Sequence, residues 1–222
     1  MVTYHNLSII GTSHIAKESI QKVKDEIEKI NPTIVACELD SSRLKALFSR
    51  SRENSFSILK KLGIRAFIFN VIGAYIERSL GKYTGVKPGS EMKIAITWAR
   101  ENKRKIFLID QPIEITLEKL TKQLTRKEKV TFLKDILKIP FTKKEIIFDL
   151  NKIPPQKTIN KLIRETKKKY PTVYKILIQE RNEHMAKALS KLMNMYPGEK
   201  IVAIVGAGHE KEIITHIKWM KN

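Results

Sequence analysis

Short apolar runs alternate with amphipathic segments along the chain, and this alternation predicts the order of its elements. Four runs of aliphatic and β-branched residues predict strands over 5–10, 33–38, 105–110 and 200–205. Continuous apolar runs of this length are typical of strands that a sheet buries on both faces. The segments between and after these runs have helical periodicity, so strands and helices alternate. We therefore predict an α/β fold, with a mostly parallel central sheet flanked by helices.

Two long helical stretches interrupt this alternation. Residues 55–89 and 121–197 are predicted to form a helical cover, and the second is a large insertion between the third and last core strands. The predicted core comprises residues 1–54, 90–120 and 198–222. Because both ends of the chain contribute strands to one sheet, we predict a single domain over 1–222. Ser41 or Ser42 and Ser90 are the expected N-caps of two core helices.

Composition narrows the class of protein. Hydrophobic residues make up 42% of the chain, which is enough to bury a core. No apolar run is long enough to span a membrane, and the N-terminus carries no secretion signal. The only cysteine, Cys37, excludes an internal disulfide framework. We expect a cytoplasmic protein without an integral membrane segment, either free or attached peripherally to a membrane.

The formal net charge of +20 has two interpretations that the pattern does not separate. A strong positive charge favours anionic partners such as nucleic acid or an acidic membrane face, and residues 143–175 are the most basic region. The excess consists mainly of lysine, which is also typical of heat-adapted proteins. Binding to anionic surfaces therefore stays open beside a purely compositional origin.

Titratable side chains follow each of the four predicted strands. His14, Glu38, Asp110 and His209 stand at or just beyond the strand ends. The carboxyl ends of parallel strands meet at one edge of a sheet, and this edge is where α/β proteins bind ligands. Two imidazoles with carboxylates are ligands for a divalent cation such as zinc or manganese. The same groups are also suited to acid–base catalysis.

Glycines precede both histidines. Gly11 stands three residues before His14, and Gly206 and Gly208 precede His209, so the pattern Gly-x-x-His occurs twice. We expect these glycines to allow tight turns and close backbone approach. Each histidine then lies at or near a helix N-terminus, where the helix dipole favours an anion and lowers the imidazole pKa.

Other polar residues are candidates for the same edge. Glu91 begins a predicted helix, and Arg43 lies one turn into the helix after Glu38. Glu180, Arg181 and His184 are predicted to share one helix face. A solvated surface position is the alternative interpretation for each of them.

Several of these segments together resemble a known family. The segments are 11–14 (Gly-Thr-Ser-His), 32–43, 88–92, 108–110, 180–182 and 205–209. In this order they resemble the TraB/PrgY family, which is related to the Tiki metalloproteases. The resemblance implies a fold of the erythromycin-esterase/ChaN-like superfamily and a metal-dependent hydrolytic site. Tiki relatives cut an amino-terminal segment from a signalling protein, and pheromone-shutdown members act on small peptides.

The resemblance also implies roles for individual residues. His14, Glu38 and His209 match proposed metal or catalytic positions. Supporting positions match Glu91, Arg43 and Arg181. One departure is Gln111, which follows Asp110 where the family usually has arginine.

Three hypotheses of function follow. The first is a metal-dependent hydrolase of peptides, in which His14 and His209 hold Mn, Co or Zn and Glu38 is a ligand or general base. Arg181 or Arg43 would stabilise an oxyanion or bind a substrate carboxylate. The second is a protein that binds and sequesters a peptide without cutting it, with residues 55–80 as its groove or as the contact of a homo-oligomer. The third is a basic protein that binds nucleic acid or an anionic membrane surface.

Overall fold

A five-stranded sheet organises the protein. The structure is a computed structural model that describes residues 1–14, 16–49, 87–138 and 151–221. The strands are β1 Val2–Tyr4, β2 Leu7–Thr12, β3 Ile34–Cys37, β4 Lys105–Leu108 and β5 Ile201–Gly206. Their order in the sheet is β1-β2-β5-β3-β4, and all neighbours are parallel except β1 and β2. This mixed α/β architecture with a mostly parallel sheet confirms the predicted fold class.

Helices flank the sheet. Within the described ranges they are α1 Lys17–Ile30, α2 Ser41–Phe48, α3 Ser90–Glu101, α4 Ile113–Gln123, α5 Arg126–Lys138, α6 Gln156–Lys169, α7 Pro171–Tyr174, α8 Glu180–Met195 and α9 Glu210–Lys221. A π-helical turn, Lys175–Gln179, joins α7 to α8. None of the described helices is long and apolar enough to cross a membrane. The predicted apolar groove at 55–80 lies outside the described residues.

The central strand β5 explains why the apolar runs are continuous. It pairs with β2 on one side and with β3 on the other. Its residues are all buried, because α8 and α9 pack on one face of the sheet and α1 and α3 on the other. A strand covered on both faces is apolar at successive positions, so apolar and polar residues do not alternate along it. The pairing of β2 with β5 also joins the two ends of the chain in one sheet.

The first predicted strand is wrong at its start. Residues 5–10 were expected to form one strand, but His5 has φ +51° and lies in the turn of a hairpin. The preceding residues form β1, which pairs antiparallel with β2. β1 has only three residues and sits at the sheet edge with partly exposed side chains, so it lacks the apolar run that marks the other strands.

The predicted helix caps also need correction. Asp40, rather than Ser41 or Ser42, caps α2, because its Oδ1 accepts from the backbone N–H groups of Ser42 at 2.7 Å and Arg43 at 3.0 Å. Gly89, with φ +82°, is the N-cap of α3. Ser90 is already in the first turn of α3, and its hydroxyl donates to the Lys87 carbonyl.

Gly11 provides a test of how β2 packs against the start of α9. A Cβ at this position would lie 2.3 Å from Glu210 Oε2 and 3.1 Å from the backbone Cα of Ala207. The carboxylate can rotate away, but the Ala207 backbone is fixed by β5. We predict that Gly11→Ala lowers the free energy of unfolding by roughly 1–3 kcal/mol, measured by urea denaturation. Gly198→Ala is the matched control, because no atom lies within 4 Å of its added Cβ; equal losses for both variants would contradict this account.

Candidate active site

Glu38 is the centre of a charged cluster at the carboxyl ends of the parallel strands. It directly follows β3 and is only 3% exposed. Its Oε2 accepts from the backbone N–H of Gly206 at 2.6 Å. Its Oε1 pairs with a terminal guanidinium nitrogen of Arg181 and lies 3.5 Å from His209 Nε2. The predicted edge of the sheet thus holds a buried carboxylate with three different partners.

The side chains of three candidate site residues meet over Gly206. A Cβ built on Gly206 would lie 3.5 Å from His14 Nε2, 3.5 Å from Glu38 Oε2 and 3.4 Å from His209 Cδ2. A larger residue would enter the space that these groups surround, so glycine keeps this space open. The structure therefore brings His14, Glu38 and His209 together around a single point.

Each imidazole is held on its Nδ1 side. His14 Nδ1 contacts Glu91 Oε1 at 2.6 Å, and His209 Nδ1 contacts Asn182 Oδ1 at 2.5 Å. Carboxylate and amide oxygens only accept, so Nδ1 is the donor in both pairs. Each Nε2 is consequently the nitrogen available for chemistry. His209 immediately precedes α9, as predicted, whereas His14 lies before Ala16, the N-cap of α1.

Arg181 bridges two carboxylates. Its Nε donates to Asp110 Oδ1 at 3.0 Å and a terminal nitrogen donates to Asp110 Oδ2 at 2.6 Å. The same nitrogen pairs with Glu38, and the other terminal nitrogen donates to the Leu177 carbonyl at 3.2 Å. The side chain is 15% exposed. Arg181 is therefore at the predicted edge, bound to the protein's own acids.

Arg43 reaches the same edge from α2. Its Nε donates to Asp40 Oδ2 at 2.6 Å and a terminal nitrogen pairs with Asp110 Oδ2. It is 32% exposed, so it faces solvent more than Arg181 does. Arg43 is therefore paired with Asp110 and Asp40. A cavity of about 390 Å³ opens beside this pair, between α2 and the start of α4.

The predicted shared face of Glu180, Arg181 and His184 is only partly correct. Arg181 enters the site, but Glu180 Oε2 accepts from Lys119 Nζ at 2.5 Å on α4, and His184 is exposed. The other residue of α8 that reaches the candidate site is the next one, Asn182, through its contact with His209. Consecutive residues in a helix point about 100° apart. Arg181 and Asn182 can therefore both border the candidate site, because it is wide.

Asn182 belongs to the candidate site, and the residue-by-residue reasoning missed it. It is fully buried, and its Nδ2 donates to Glu212 Oε2 at 2.5 Å while its Oδ1 holds His209. A signal was present, because Asn182 lies on the stripe of α8 that is otherwise apolar, with Met185, Ala186 and Leu189. A buried amide needs partners, and that requirement points to a neighbouring polar group.

The comparisons with known proteins agree with this arrangement of motifs. The sequence matches the profile of the TraB/PrgY/gumN family over residues 2–218. This chain belongs to that family. An uncharacterized protein of Methanocaldococcus jannaschii is 34% identical to it over 219 residues, which are 98% of this chain and 54% of that protein. A TraB domain-containing protein of Bos taurus is 21% identical over 232 residues, 90% of this chain and 59% of that protein. The chain therefore spans little more than half the length of these relatives.

The two histidines of this TraB-family chain have opposite pKa shifts. Burial lowers the pKa of His209, and the positive charge of Arg181 adds to this. Burial also acts to lower the pKa of His14, but the hydrogen bond to Glu91 and the charge of Glu38 raise it above its ordinary value. The sequence predicts a lowered imidazole pKa at both positions, and for His14 this is wrong because a buried carboxylate stands behind the ring.

Both acids at the end of β3 stay ionised. Burial raises the pKa of Glu38, but the charges of His209, Arg181 and His14 and the Gly206 N–H lower it to about 2. The pKa of Asp40 is also about 2, because hydrogen bonds from Ser42 and Arg43 outweigh burial. The site thus holds fixed negative charge that is balanced by arginine.

Gln111 does not leave a carboxylate unpaired. Its Nε2 donates to Thr116 Oγ1 at 2.7 Å and so turns toward α4. Asp110 accepts from Arg43, from Arg181 and from the backbone N–H of Gln111 at 2.9 Å. Two arginines from distant segments therefore supply the positive charge expected at position 111.

Gly208 has a different role from the one predicted. A Cβ there would meet only Ile163 Cδ1 at 3.5 Å and Ile159 Cγ2 at 3.8 Å, which is ordinary van der Waals contact. It also does not adopt a left-handed φ. The close approach expected of the glycines holds for Gly11. At Gly206 the added Cβ would also be at ordinary van der Waals distances, but from side chains of the candidate site, whereas Gly208 is a contact point for the covering helix α6.

The predicted divalent metal is not matched by the geometry. Across residues 1–14, 16–49, 87–138 and 151–221, no three His, Cys, Asp or Glu side chains are grouped so that they could hold a metal ion. Both oxygens of Glu38 already accept from nitrogen donors. Metal binding therefore stays a prediction.

The hydrogen bonds of Asn182 give a prediction about stability. Asn182→Leu removes a hydrogen-bond partner from His209, which is buried, and from Glu212, which is half-buried. We expect a loss of roughly 2–4 kcal/mol in the free energy of unfolding, measured by urea denaturation. His184→Leu, at an exposed position on the same helix, is the control and is expected to change it by less than about 0.5 kcal/mol.

The depressed pKa of Glu38 gives a prediction about pH. Its folded-state pKa of about 2 lies below the ordinary 4.5, so its contribution is fully present above pH 4.5 and is lost as the pH falls through about 2. We expect Glu38→Gln to remove roughly 3–4 kcal/mol of pH-dependent stability over this window. Thermal unfolding of both proteins at a series of pH values measures it. Parallel pH profiles for the two proteins would contradict the shift.

Proposed function

We propose that this TraB-family chain is a hydrolase that acts on peptides at the carboxyl edge of its sheet. The observation that carries the proposal is the convergence of His14, Glu38 and His209 over the open face of Gly206. Two imidazoles with oriented rings, one carboxylate and a free space between them are the components of a site that activates water.

His14 is suited to the role of general base. Its side chain is 43% exposed, while Glu91 behind it is 1% exposed. This base–orienter pair has the logic of a catalytic triad, in which a buried carboxylate fixes the ring and stabilises the imidazolium that forms. We assign to His14 Nε2 the proton of the attacking water, and the later return of that proton to the leaving amine.

His209 and Glu38 form the inner wall of the site. His209 is 9% exposed, and its lowered pKa keeps the ring neutral near pH 7, with a lone pair on Nε2. Glu38 stays ionised beside it. These two groups offer acceptors that orient a water molecule against the open face of Gly206.

The two arginines differ in exposure, and we assign them different roles on that basis. Arg181 is mostly buried and neutralises Glu38 and Asp110, so we assign it charge balance and support of developing negative charge. Arg43 is the more exposed arginine and lies near the cavity of about 390 Å³. We assign the substrate chain to this cavity, which has the size of small-ligand sites.

Sequestration of a peptide without cleavage is a second candidate. The same cavity would bind the peptide. Both arginines are already paired with carboxylates of the protein, which favours a site that binds a peptide without cleaving it. A peptide that binds and is recovered intact after long incubation would support this alternative.

A basic surface is also present on the covering helix α6. Lys157, Lys161 and Arg164 line a shallow cavity of about 480 Å³, where Glu165 is the acidic residue of the lining. Binding of nucleic acid or anionic vesicles there would fall steeply with salt. Affinity that does not depend on salt would exclude it.

Digestion of a peptide library, read by mass spectrometry, tests the hydrolase proposal. We expect cleavage by the unmodified chain and a loss of at least roughly 100-fold in the His14→Ala and His209→Ala variants. His184→Ala, which removes an exposed histidine, is the matched control and should retain full activity. Circular dichroism verifies that each variant is folded. Cleavage that survives both substitutions would refute the assignment of this site.

A further inference from the structure

We propose that Arg181 is the resident cation of this site: its guanidinium takes the position between Glu38 and Asp110 that would favour a divalent ion. The chain therefore does not bind a divalent metal at this cluster while Arg181 is in place. This inference goes beyond the reaction proposed above and is tested by binding rather than by turnover.

The contacts of Arg181 use the oxygens that a metal would need. It donates to both oxygens of Asp110, at 3.0 Å and 2.6 Å, and pairs with Oε1 of Glu38. The remaining oxygen of Glu38 accepts from Gly206 N–H, and Asp110 also accepts from Arg43. Each carboxylate oxygen in this pair thus already has a nitrogen donor.

The position of the charge is as important as the contacts. Arg181 pairs with Glu38 Oε1, and the same oxygen lies 3.5 Å from His209 Nε2. The guanidinium therefore shares an oxygen with two of the residues expected as ligands. A divalent ion held there would stand beside a second positive charge, which would repel it.

Arg181 can neither lose its charge nor move aside readily to admit a metal ion. Its guanidinium stays protonated at any accessible pH, so it does not neutralise itself as lysine can. It is also tied down, because a terminal nitrogen donates to the Leu177 carbonyl at 3.2 Å. Admission of a metal would require this side chain to leave both carboxylates.

The orientation of the histidines does not distinguish the two cases. Metal-bound histidines have the second ring nitrogen on an oxygen acceptor, and so do catalytic histidines without a metal. The contacts of His14 with Glu91 and of His209 with Asn182 fit both. Arg181 beside them distinguishes a metal site from a metal-free one. The residue types in the sequence do not show which carboxylates this arginine pairs with.

Metal titration of the full chain tests this proposal. After dialysis against EDTA, MnCl₂ and CoCl₂ are added separately, binding heat is recorded, and the visible spectrum of Co²⁺ reports imidazole ligation. For the unmodified chain we expect no site with a Kd below about 1 mM. For Arg181→Gln we expect affinity at least about tenfold tighter, lost again in the double variant Arg181→Gln/His14→Ala.

Arg43→Gln is the matched control. It removes one positive charge from the same carboxylate, Asp110, but the ion pairs of Arg43 are with Asp110 and Asp40 and not with Glu38. It should behave like the unmodified chain. A metal-induced rise in the melting temperature provides an independent readout of binding.

The unmodified chain decides the proposal by itself. A micromolar Mn²⁺ or Co²⁺ site that disappears in His14→Ala and in His209→Ala would overturn it, whether or not the arginine variant folds. A folded Arg181→Gln variant that gains no affinity would also overturn it, because another feature would then exclude the metal. Failure of the peptide digestion leaves these results unaffected.

Discussion

The burial of one ionised carboxylate, Glu38, is the constraint on which the rest of the site depends. A charge in the protein interior costs many kcal/mol unless it is paired and hydrogen-bonded. Here the cost is offset by a backbone amide from β5 and a guanidinium from α8. Each partner comes from a different segment of the chain, so keeping Glu38 charged requires the strands and helices to be in place. A site of this kind is oriented before any ligand arrives.

From this centre, ion pairs run to the surface. Glu38 pairs with Arg181, Arg181 with Asp110, Asp110 with Arg43, and Arg43 with Asp40. The chain of alternating charges ties α8 and α2 to the ends of β3 and β4. The innermost pair is almost fully buried and the outermost arginine is one-third exposed. A substrate would therefore meet a network that is rigid near Glu38 and solvated near Arg43. This change in exposure separates the inner residues, which orient the site, from the outer ones, which a ligand would contact first.

Much of the fold and of the candidate site could be predicted because parallel sheets leave a clear pattern. The run that became β3 is apolar on both faces, and its end at Cys37 placed Glu38 at the sheet edge. The short edge strand β1 had no such pattern. The placement of His184 beside Arg181 was wrong, because helical spacing groups residues on a face but does not show which face is buried. Asn182 was missed because its importance lies in a partner, His209, that is 27 residues away.

The sequence by itself determined which residues end the strands, and thereby brought His14, Glu38, Asp110 and His209 to one edge. This follows from local periodicity, which needs no knowledge of partners. Only the tertiary structure decided how the charges pair. Arg181 meets Asp110 and Glu38 across 71 and 143 residues, and its helix begins directly after the π turn Lys175–Gln179. Pairings over such separations arise from packing and desolvation, which no local pattern of residues encodes.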